Sequence, residues 1–276
     1  MKKLLHPCAF LLAAAVFTAR ADVTLFSTDF QNAALGSYAD GSIINAGGAP
    51  HEQMQVYFGV TATHTGKVEV VQFDVDKKML AVTIPETGHA RYGRIFYTNK
   101  PFPDNPNPLS ITAKGNHHIE GQFDIVFNSD KNTVEMDVII GCQSDAAANA
   151  PIRFFMYNYG RIFYYQNGGR IEKTVPAIGV NEPYRVHFYG DMSNGLGGDF
   201  RWGFTVTRLS NNTPFWEVSD IVRSSASVPA NIPDRFVMNA VYVNTLPADP
   251  TIPVLYFTNF HIVGKPTLRP TLFFLK

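Results

Sequence analysis

The feature that most constrains the fold is an alternation of apolar and polar residues with a period of two, which recurs between turn-forming segments. This pattern is typical of antiparallel strands with one face on a core and the other in water. Strands are predicted over 68–75, 79–84, 119–127, 133–140, 152–157, 161–165, 184–189, 200–209, 236–243 and 255–263. The polar segment 128–132 is predicted to be a hairpin loop. About a dozen strands favour two facing antiparallel sheets, an all-β sandwich.

Residues 1–21 have the pattern of a secretory signal peptide. Two lysines near the start are followed by an apolar run over 9–17, and Ala19-Arg20-Ala21 places small residues where signal peptidase cleaves. The apolar run is shorter than the roughly 20 residues that a membrane span requires. We therefore expect cleavage near Ala21 and export to the periplasm or the outside of the cell. Residues 22–276 are expected to form one domain that is not inserted in a membrane.

Charge and cysteine content narrow the range of partners. Loss of residues 1–21 removes three of the 23 basic residues, which leaves 20 against 23 acidic residues, a net charge of −3 with histidine neutral. No block of basic residues stands out, which disfavours nucleic acid and anionic membranes as partners. Cys8 falls within the leader, so Cys142 is alone and no intramolecular disulfide is expected. The domain must therefore be stabilised by its core.

Segments at both ends and in the middle of the domain resemble a known type of sandwich. They are an acidic-aromatic strand within 24–38 that leads into a glycine-containing loop, a long strand over 254–264, and the strands 184–188 and 202–207. These segments resemble the opening, closing and central strands of laminin-G-like and concanavalin-A-like β-sandwiches. The resemblance implies a two-sheet antiparallel jelly roll in which the closing strand lies beside the opening one. That superfamily includes lectins, adhesion modules, glycoside hydrolases and polysaccharide lyases, so the fold leaves the function open.

Two carboxylates on one predicted strand are the sharpest catalytic candidates. The segment 135–140 is similar to the strand motif of laminarinase-type glycoside hydrolases, by which Glu135 would be the nucleophile and Asp137 its helper. A retaining hydrolase also needs an acid/base carboxylate on the same face, but Ile139 or Ile140 occupies that position. The motif therefore lacks the group that would protonate the leaving group. We interpret Glu135 and Asp137 as part of a solvent-facing polar strand face.

A polysaccharide lyase would use other side chains. It needs a base such as Tyr or His, and Arg, Asn or Gln to neutralise a uronate carboxylate. Tyrosine and arginine cluster over 157–165, and the segment 155–160 faintly resembles an alginate-lyase strand. The Arg-Thr-Glu and Gln-Ile-His signatures of those enzymes do not occur in the sequence, and Arg185-Val186-His187 is the nearest fragment. Lyase activity therefore stays an alternative.

The aromatic content favours a carbohydrate-binding surface. Aromatic residues make up 13% of the chain, and sugar sites combine an aromatic platform with polar neighbours. The hexapeptide Tyr-Gly-Arg-Ile-Phe-Tyr occurs twice, at 92–97 and 159–164. The candidate carbohydrate-binding residues are Tyr92, Arg94, Tyr157, Tyr159, Arg161, Tyr164 and Trp202. Because sheets also use Tyr and Phe for packing, each of these residues could instead belong to the core.

Metal-binding patterns are sparse. The adjacent His117 and His118 would point to opposite faces of a strand, and the other histidines are scattered, so no zinc site is expected. Since sandwiches of the resembled type often carry a structural calcium ion, Asp29 and Asn259 are candidate calcium ligands at the paired end strands. A hydrogen-bonded pairing of these two ends without metal is the alternative.

The function predicted from the sequence is that of an exported, non-catalytic, lectin-like module. Its expected partner is a polysaccharide or a glycosylated surface. A divergent polysaccharide lyase or glycoside hydrolase is the first alternative, and a structural or adhesive envelope protein is the second.

Overall fold

The structure is a computed structural model. It describes residues 15–16, 22–39, 41–45, 47, 53–57, 67–83, 91–98, 116–128, 134–141, 152–167, 169–191, 200–223, 235–242, 254–266 and 271–272. In chain order, the strands are β1 (Ala15–Val16), β2 (Val23–Thr28), β3 (Gly36–Tyr38), β4 (Ile43–Asn45), β5 (Gln53–Tyr57), β6 (Lys67–Asp74), β7 (Lys77–Thr83), β8 (Arg91–Thr98), β9 (Asn116–Phe127), β10 (Val134–Gly141), β11 (Ile152–Tyr157), β12 (Arg161–Gln166), β13 (Gly169–Thr174), β14 (Pro183–Asp191), β15 (Phe200–Arg208), β16 (Thr213–Arg223), β17 (Arg235–Tyr242), β18 (Val254–Pro266) and β19 (Thr271–Leu272). These residues include no helix with the length and apolar character that crossing a membrane requires.

Two antiparallel sheets contain most of these strands. Sheet I has the strand order β13-β12-β11-β10-β17-β8-β5-β4. Sheet II has the order β16-β15-β14-β9-β18-β7-β6-β3, and β2 also pairs with β18. The short strands β1 and β19 pair with each other outside both sheets. β1 lies within residues 1–21, whose role as a leader stays a prediction. The two sheets confirm the all-β, antiparallel fold class that the alternating pattern predicts.

The core lies between the two sheets. On β14, Tyr184, Val186 and Phe188 are fully buried, and the residues between them are partly exposed. The ring of Phe154 on β11 stacks on that of Phe204 on β15, with centroids 4.1 Å apart. This contact joins sheet I to sheet II. Because successive side chains of a strand point to opposite faces of its sheet, the side chains between these core residues lie on the outer faces of the sandwich.

The long strand β18 is the centre of sheet II. One of its edges pairs with β9, and its other edge pairs first with β7, over Val254–Phe257, and then with β2, from Phe260 onward. The predicted pairing of the closing strand with the opening strand is confirmed. Where the partner changes, the register with β9 shifts and Asn259 adopts a φ of 53°. This irregularity is a β-bulge, which bends the strand locally.

The connection between β9 and β10 corrects the prediction of a hairpin over 128–132. β9 pairs with β14 and β18 in sheet II, whereas β10 pairs with β11 and β17 in sheet I. The chain therefore crosses from one sheet to the other, although residues 129–133 themselves lie outside the described part. Alternation predicts that each segment is a strand but carries no information about its sheet. The predicted long pair of 184–188 with 202–207 is confirmed as β14 and β15.

Candidate functional site

A cluster of charged and aromatic side chains lies on the outer face of sheet I, across β10 to β13. The alternate residues of these strands, such as Met136 and Phe154, belong to the core between the sheets. Three aromatic side chains on the outer face form a small apolar cluster that is separate from that core. We define the outer cluster as Glu135, Asp137, Arg153, Phe155, Tyr157, Tyr159, Arg161, Phe163, Tyr165 and Arg170.

Arg153 and Asp137 form a buried ion pair at the base of the outer cluster. Arg153 donates through Nε to Asp137 Oδ1 at 3.1 Å and through Nη2 to Oδ2 at 2.9 Å. The guanidinium also lies over the ring of Phe155, 4.5 Å from its centroid. The expectation that Asp137 faces solvent is wrong, because the arginine covers it and leaves it 4% exposed. Bidentate hydrogen bonding between a guanidinium and a carboxylate is among the strongest forms of a hydrogen-bonded ion pair.

The second polar pair joins Tyr157 to Glu135. The Tyr157 hydroxyl donates to Glu135 Oε2. Burial raises the pKa of Glu135, and the charge of Asp137 adds to the rise, while the tyrosine bond and two arginines oppose it. Burial and the bond to Glu135 raise the pKa of Tyr157 well above its ordinary value. The tyrosine is therefore a neutral hydrogen-bond donor at neutral pH, and the charge of the site is carried by carboxylates and arginines.

The aromatic rings of the outer cluster pack against one another and against arginines. The rings of Tyr157 and Phe163 meet at 5.2 Å and 67°, a T-shaped contact. Arg170, an exposed residue of the edge strand β13, lies 3.7 Å from the centroid of the Phe163 ring. The centroids of the Tyr159 and Tyr157 rings are 5.2 Å apart, and the guanidinium of Arg161 lies 5.5 Å from the centroid of the Tyr159 ring. These contacts cover the apolar rings and leave Tyr159, Arg161 and Arg170 accessible.

The turn between β11 and β12 presents Tyr159 to solvent. Gly160 in this turn has a φ of 94°, and a Cβ at this position would lie 2.4 Å from the Val175 carbonyl oxygen. Backbone bonds from Val175 N to Gly160 O and from Ile178 N to Asn158 O, both 2.9 Å, tie the turn to the segment after β13. The turn is therefore anchored on a second segment, and Tyr159 is held in place while it is 41% exposed.

Three of the predicted binding residues, Tyr157, Tyr159 and Arg161, meet in the outer cluster. Two others are corrected, because Tyr164 and Trp202 belong to the core between the sheets. Their rings meet there at 6.3 Å, and Trp202 is 0% exposed. Tyr164 pairs in register with Phe154 and so lies in the inward phase of β12. Neither residue is available to a ligand on the outer face.

The remaining two predicted binding residues, Tyr92 and Arg94, lie on β8. Their side chains lie outside the described residues, but β8 belongs to sheet I, where β17 separates it from β10. Arg94 is the register partner of Asn239, which is itself the register partner of Asp137. The two copies of the hexapeptide therefore lie in one sheet, on β8 and β12, with three strands between them.

Sequence reasoning missed Arg153, Phe155, Phe163 and Arg170 as binding residues, and it considered Tyr165 only for the lyase alternative. An arginine within the otherwise apolar segment 152–157 was the available signal, because a cation in such a run needs an anionic partner. The preceding strand, over 134–141, contains two acidic residues that could be this partner, Glu135 and Asp137. The pairing register of the two strands is needed to connect them.

The predicted calcium ligands Asp29 and Asn259 lie close together where β2 meets β18. Thr258 Oγ1 donates to the Asp29 carbonyl at 3.1 Å, and Asn259 Nδ2 donates to Asp124 Oδ2 at 2.6 Å. No group of three or more His, Cys, Asp or Glu side chains converges among the described residues. Calcium takes 6–8 oxygen ligands, whereas the cleft lined by Asp29 and Asn259 is also lined by Arg185, a cation. This donor set fits calcium poorly, and the calcium site stays a prediction.

Comparisons with known proteins identify the fold and no family. No protein-family model matches the sequence, and no curated protein matches it. The CBM2 module of the evolved Dit protein of Lactobacillus casei BL23 phage J-1 superposes with a TM-score of 0.53 and 10% identity, over 91% of this chain and 99% of that one. A marine PL-14 alginate lyase from Aplysia kurodai gives 0.49 and 11%, over 71% and 87%. The alginate lyase vAL-1 from Chlorella virus gives 0.48 and 16%, over 76% and 92%. The fold is a two-sheet jelly-roll sandwich, and its superfamily stays a prediction.

Proposed function

We propose that the outer cluster binds a polysaccharide or a glycosylated surface. The observation that carries the proposal is the exposed ring of Tyr159, which lies in the turn beside the guanidinium of Arg161, itself paired with the carboxylate of Glu172. Sugars present apolar C–H faces together with many hydroxyl groups. An accessible ring can cover the apolar face, while Arg161 and Arg170 can donate to hydroxyl or carboxylate oxygens.

The buried contacts below this surface support a binding role because they fix its geometry in advance. The ion pair of Arg153 with Asp137 and the bond from Tyr157 to Glu135 hold four of its side chains. The anchored turn holds Tyr159. A surface that is already ordered loses less conformational entropy on binding, so more of the contact energy is available as affinity.

The same contacts make the catalytic alternatives less favourable. The raised pKa of Tyr157 moves it away from neutral pH, where a general base is most effective. Both carboxylate oxygens of Asp137 accept hydrogen bonds from Arg153, and the pair is buried, so Asp137 is shielded from a glycosidic bond. Binding without bond cleavage is therefore the function that we favour over lyase or hydrolase activity.

The structural likeness to a phage CBM2 module supports the same reading at the level of the fold. Its 10% identity transfers neither a ligand nor a site to this chain. From the leader pattern we also infer that the protein is exported after cleavage near Ala21. Glycans outside the cytoplasm would then be accessible to it.

The test is a binding survey with the purified protein against a glycan array and insoluble polysaccharides, with release of reducing ends and unsaturated uronates assayed in the same samples. We expect binding without product release, weakened by Arg161→Ala but not by Arg201→Ala, an exposed arginine of sheet II. Product release would overturn the non-catalytic proposal in favour of an enzyme. Absence of both signals would overturn glycan binding and favour a protein partner.

A further inference from the structure

A second polar surface lies on the opposite side of the sandwich, on the outer face of sheet II. It is a cleft of about 540 Å³ at the place where β2, β9, β14 and β18 meet. Small-molecule sites in proteins commonly have volumes of about 300–1,000 Å³. The side chains that line the cleft include Ser27, Asn32, Gln122, Arg185, Asn259 and His261.

The cleft arises from an irregularity in the ladder of β18. On one edge of that strand, β7 pairs as far as Phe257 and β2 pairs from Phe260, so the two residues between them have no ladder partner on that edge. Asn259 is one of these two, and its φ is 53°. Phe30, directly after Asp29 in the facing loop, has a φ of 65°. A bulky residue rarely adopts this conformation, and such strained positions together with bulges are concentrated at functional sites.

A buried carboxylate orients two of the groups that line the cleft. Asp124 is 2% exposed. It accepts bonds from Arg185, Nε to Oδ1 at 2.8 Å and Nη2 to Oδ2 at 3.1 Å, and from Asn259 Nδ2 to Oδ2 at 2.6 Å. The arginine and the amide are thus held in fixed positions at the wall of the cleft before any ligand arrives.

The lining also defines the chemistry of a ligand. Asp124 balances the charge of Arg185, and Asp29 adds a further carboxylate, so an anionic ligand is disfavoured. The side-chain amides, the hydroxyl and the imidazole of the lining supply both hydrogen-bond donors and acceptors, which sugar hydroxyl groups can use because each hydroxyl both donates and accepts. Among the described residues that line the cleft, Phe260 is the one Phe, Tyr or Trp, and it is 1% exposed, so its ring is not available for stacking.

We propose that this cleft is a second binding site, which takes a single neutral sugar unit or polyol through hydrogen bonds to its adjacent hydroxyls. The proposal does not depend on the outer cluster. If the proposed function of the outer cluster is also correct, the protein has two glycan sites on opposite faces. It could then join two glycan chains or gain avidity on a dense surface.

The experiment is a titration of the isotopically labelled protein with the methyl glycosides of glucose, galactose and mannose, and with xylitol, followed by NMR. We expect saturable shifts of the Gln122 and Asn32 side-chain amides and of the His261 ring for at least one of these probes. Gln122→Ala and Asn32→Ala should each weaken that binding about three- to tenfold, the loss expected for one hydrogen bond. Arg185 is left intact, because its removal would leave Asp124 buried and unpaired.

The matched control is Thr205→Ala, on the same outer face but away from the cleft. This variant should keep the wild-type shifts of the cleft residues. Tyr159→Ala, which is expected to weaken binding at the outer cluster, should also leave the shifts of the cleft residues unchanged, so the two sites can fail separately. Absence of shifts at the cleft with all four probes would overturn the proposal. Shifts that persist with unchanged affinity in both cleft variants would overturn it as well.

Discussion

Replacing Tyr159 by Ala should weaken binding of a polysaccharide at the outer cluster about 30-fold. A tyrosine side chain has an area of about 200 Å², and the 41% of this residue that is exposed corresponds to about 80 Å². If a sugar ring covers that area, its loss costs about 2 kcal/mol at 25 cal/mol per Å². A difference of about 2 kcal/mol is about 30-fold in the dissociation constant. The folded state should tolerate the change, because the contacts of the ring with Tyr157 and with the Arg161 guanidinium lie outside the core between the sheets.

The assay is isothermal titration calorimetry with the polysaccharide that binds best in the survey, together with thermal unfolding of each variant. Ile171→Ala is the matched control, because it is a similarly exposed apolar side chain on β13 in the same sheet. Its register partner is Tyr164, which faces the core, so it lies outside the outer face. An unchanged dissociation constant for Tyr159→Ala, or an equal loss for Ile171→Ala, would refute the assignment of Tyr159 to the binding surface.

Two further predictions concern the buried part of the outer cluster. Arg153→Met should lower the free energy of unfolding in urea by about 3–5 kcal/mol, because Asp137 stays buried without its partner; a loss of only ~0.5 kcal/mol, typical of surface changes, would contradict this. Burial raises the pKa of folded Glu135, so the wild type loses stability as pH rises from the unfolded-state value through the folded one. The free energy of unfolding of Glu135→Gln should therefore rise relative to the wild type as the pH increases above about 4, the ordinary glutamate pKa. Urea denaturation at a series of pH values that shows a constant difference would disprove this.

The strands were predictable where their two faces differ in polarity. On β14, apolar residues alternate with polar ones, and the apolar set is the buried one. On β11, the residues from Ile152 to Tyr157 are all buried. One face packs in the core, and on the other face the guanidinium groups of Arg153 and Arg170 lie over the Phe155 ring. The sequence of β11 therefore shows no alternation of apolar and polar residues, and it could not indicate which of the aromatic rings of this strand lie on the outer face.

The same difficulty explains why only some of the predicted site residues lie together on the outer face. Tyrosine and arginine content predicted Tyr157, Tyr159 and Arg161, which do meet in the outer cluster. Tyr164 and Trp202 were chosen on the same grounds but belong to the core. Adjacent residues of a strand point to opposite faces, so a choice based on composition includes both faces.

The alternating pattern was sufficient to predict an all-β sandwich, because it depends on residues that are close in sequence. The resemblance of the two end segments to a known type of sandwich implied that the opening and closing strands pair, and the pairing of β2 with β18 confirms this. The ion pair of Arg153 with Asp137 and the cleft beside Asn259 needed the assembled sheets. They depend on which strands become neighbours and in which register, and a shift of one residue would turn every side chain of a strand to the other face.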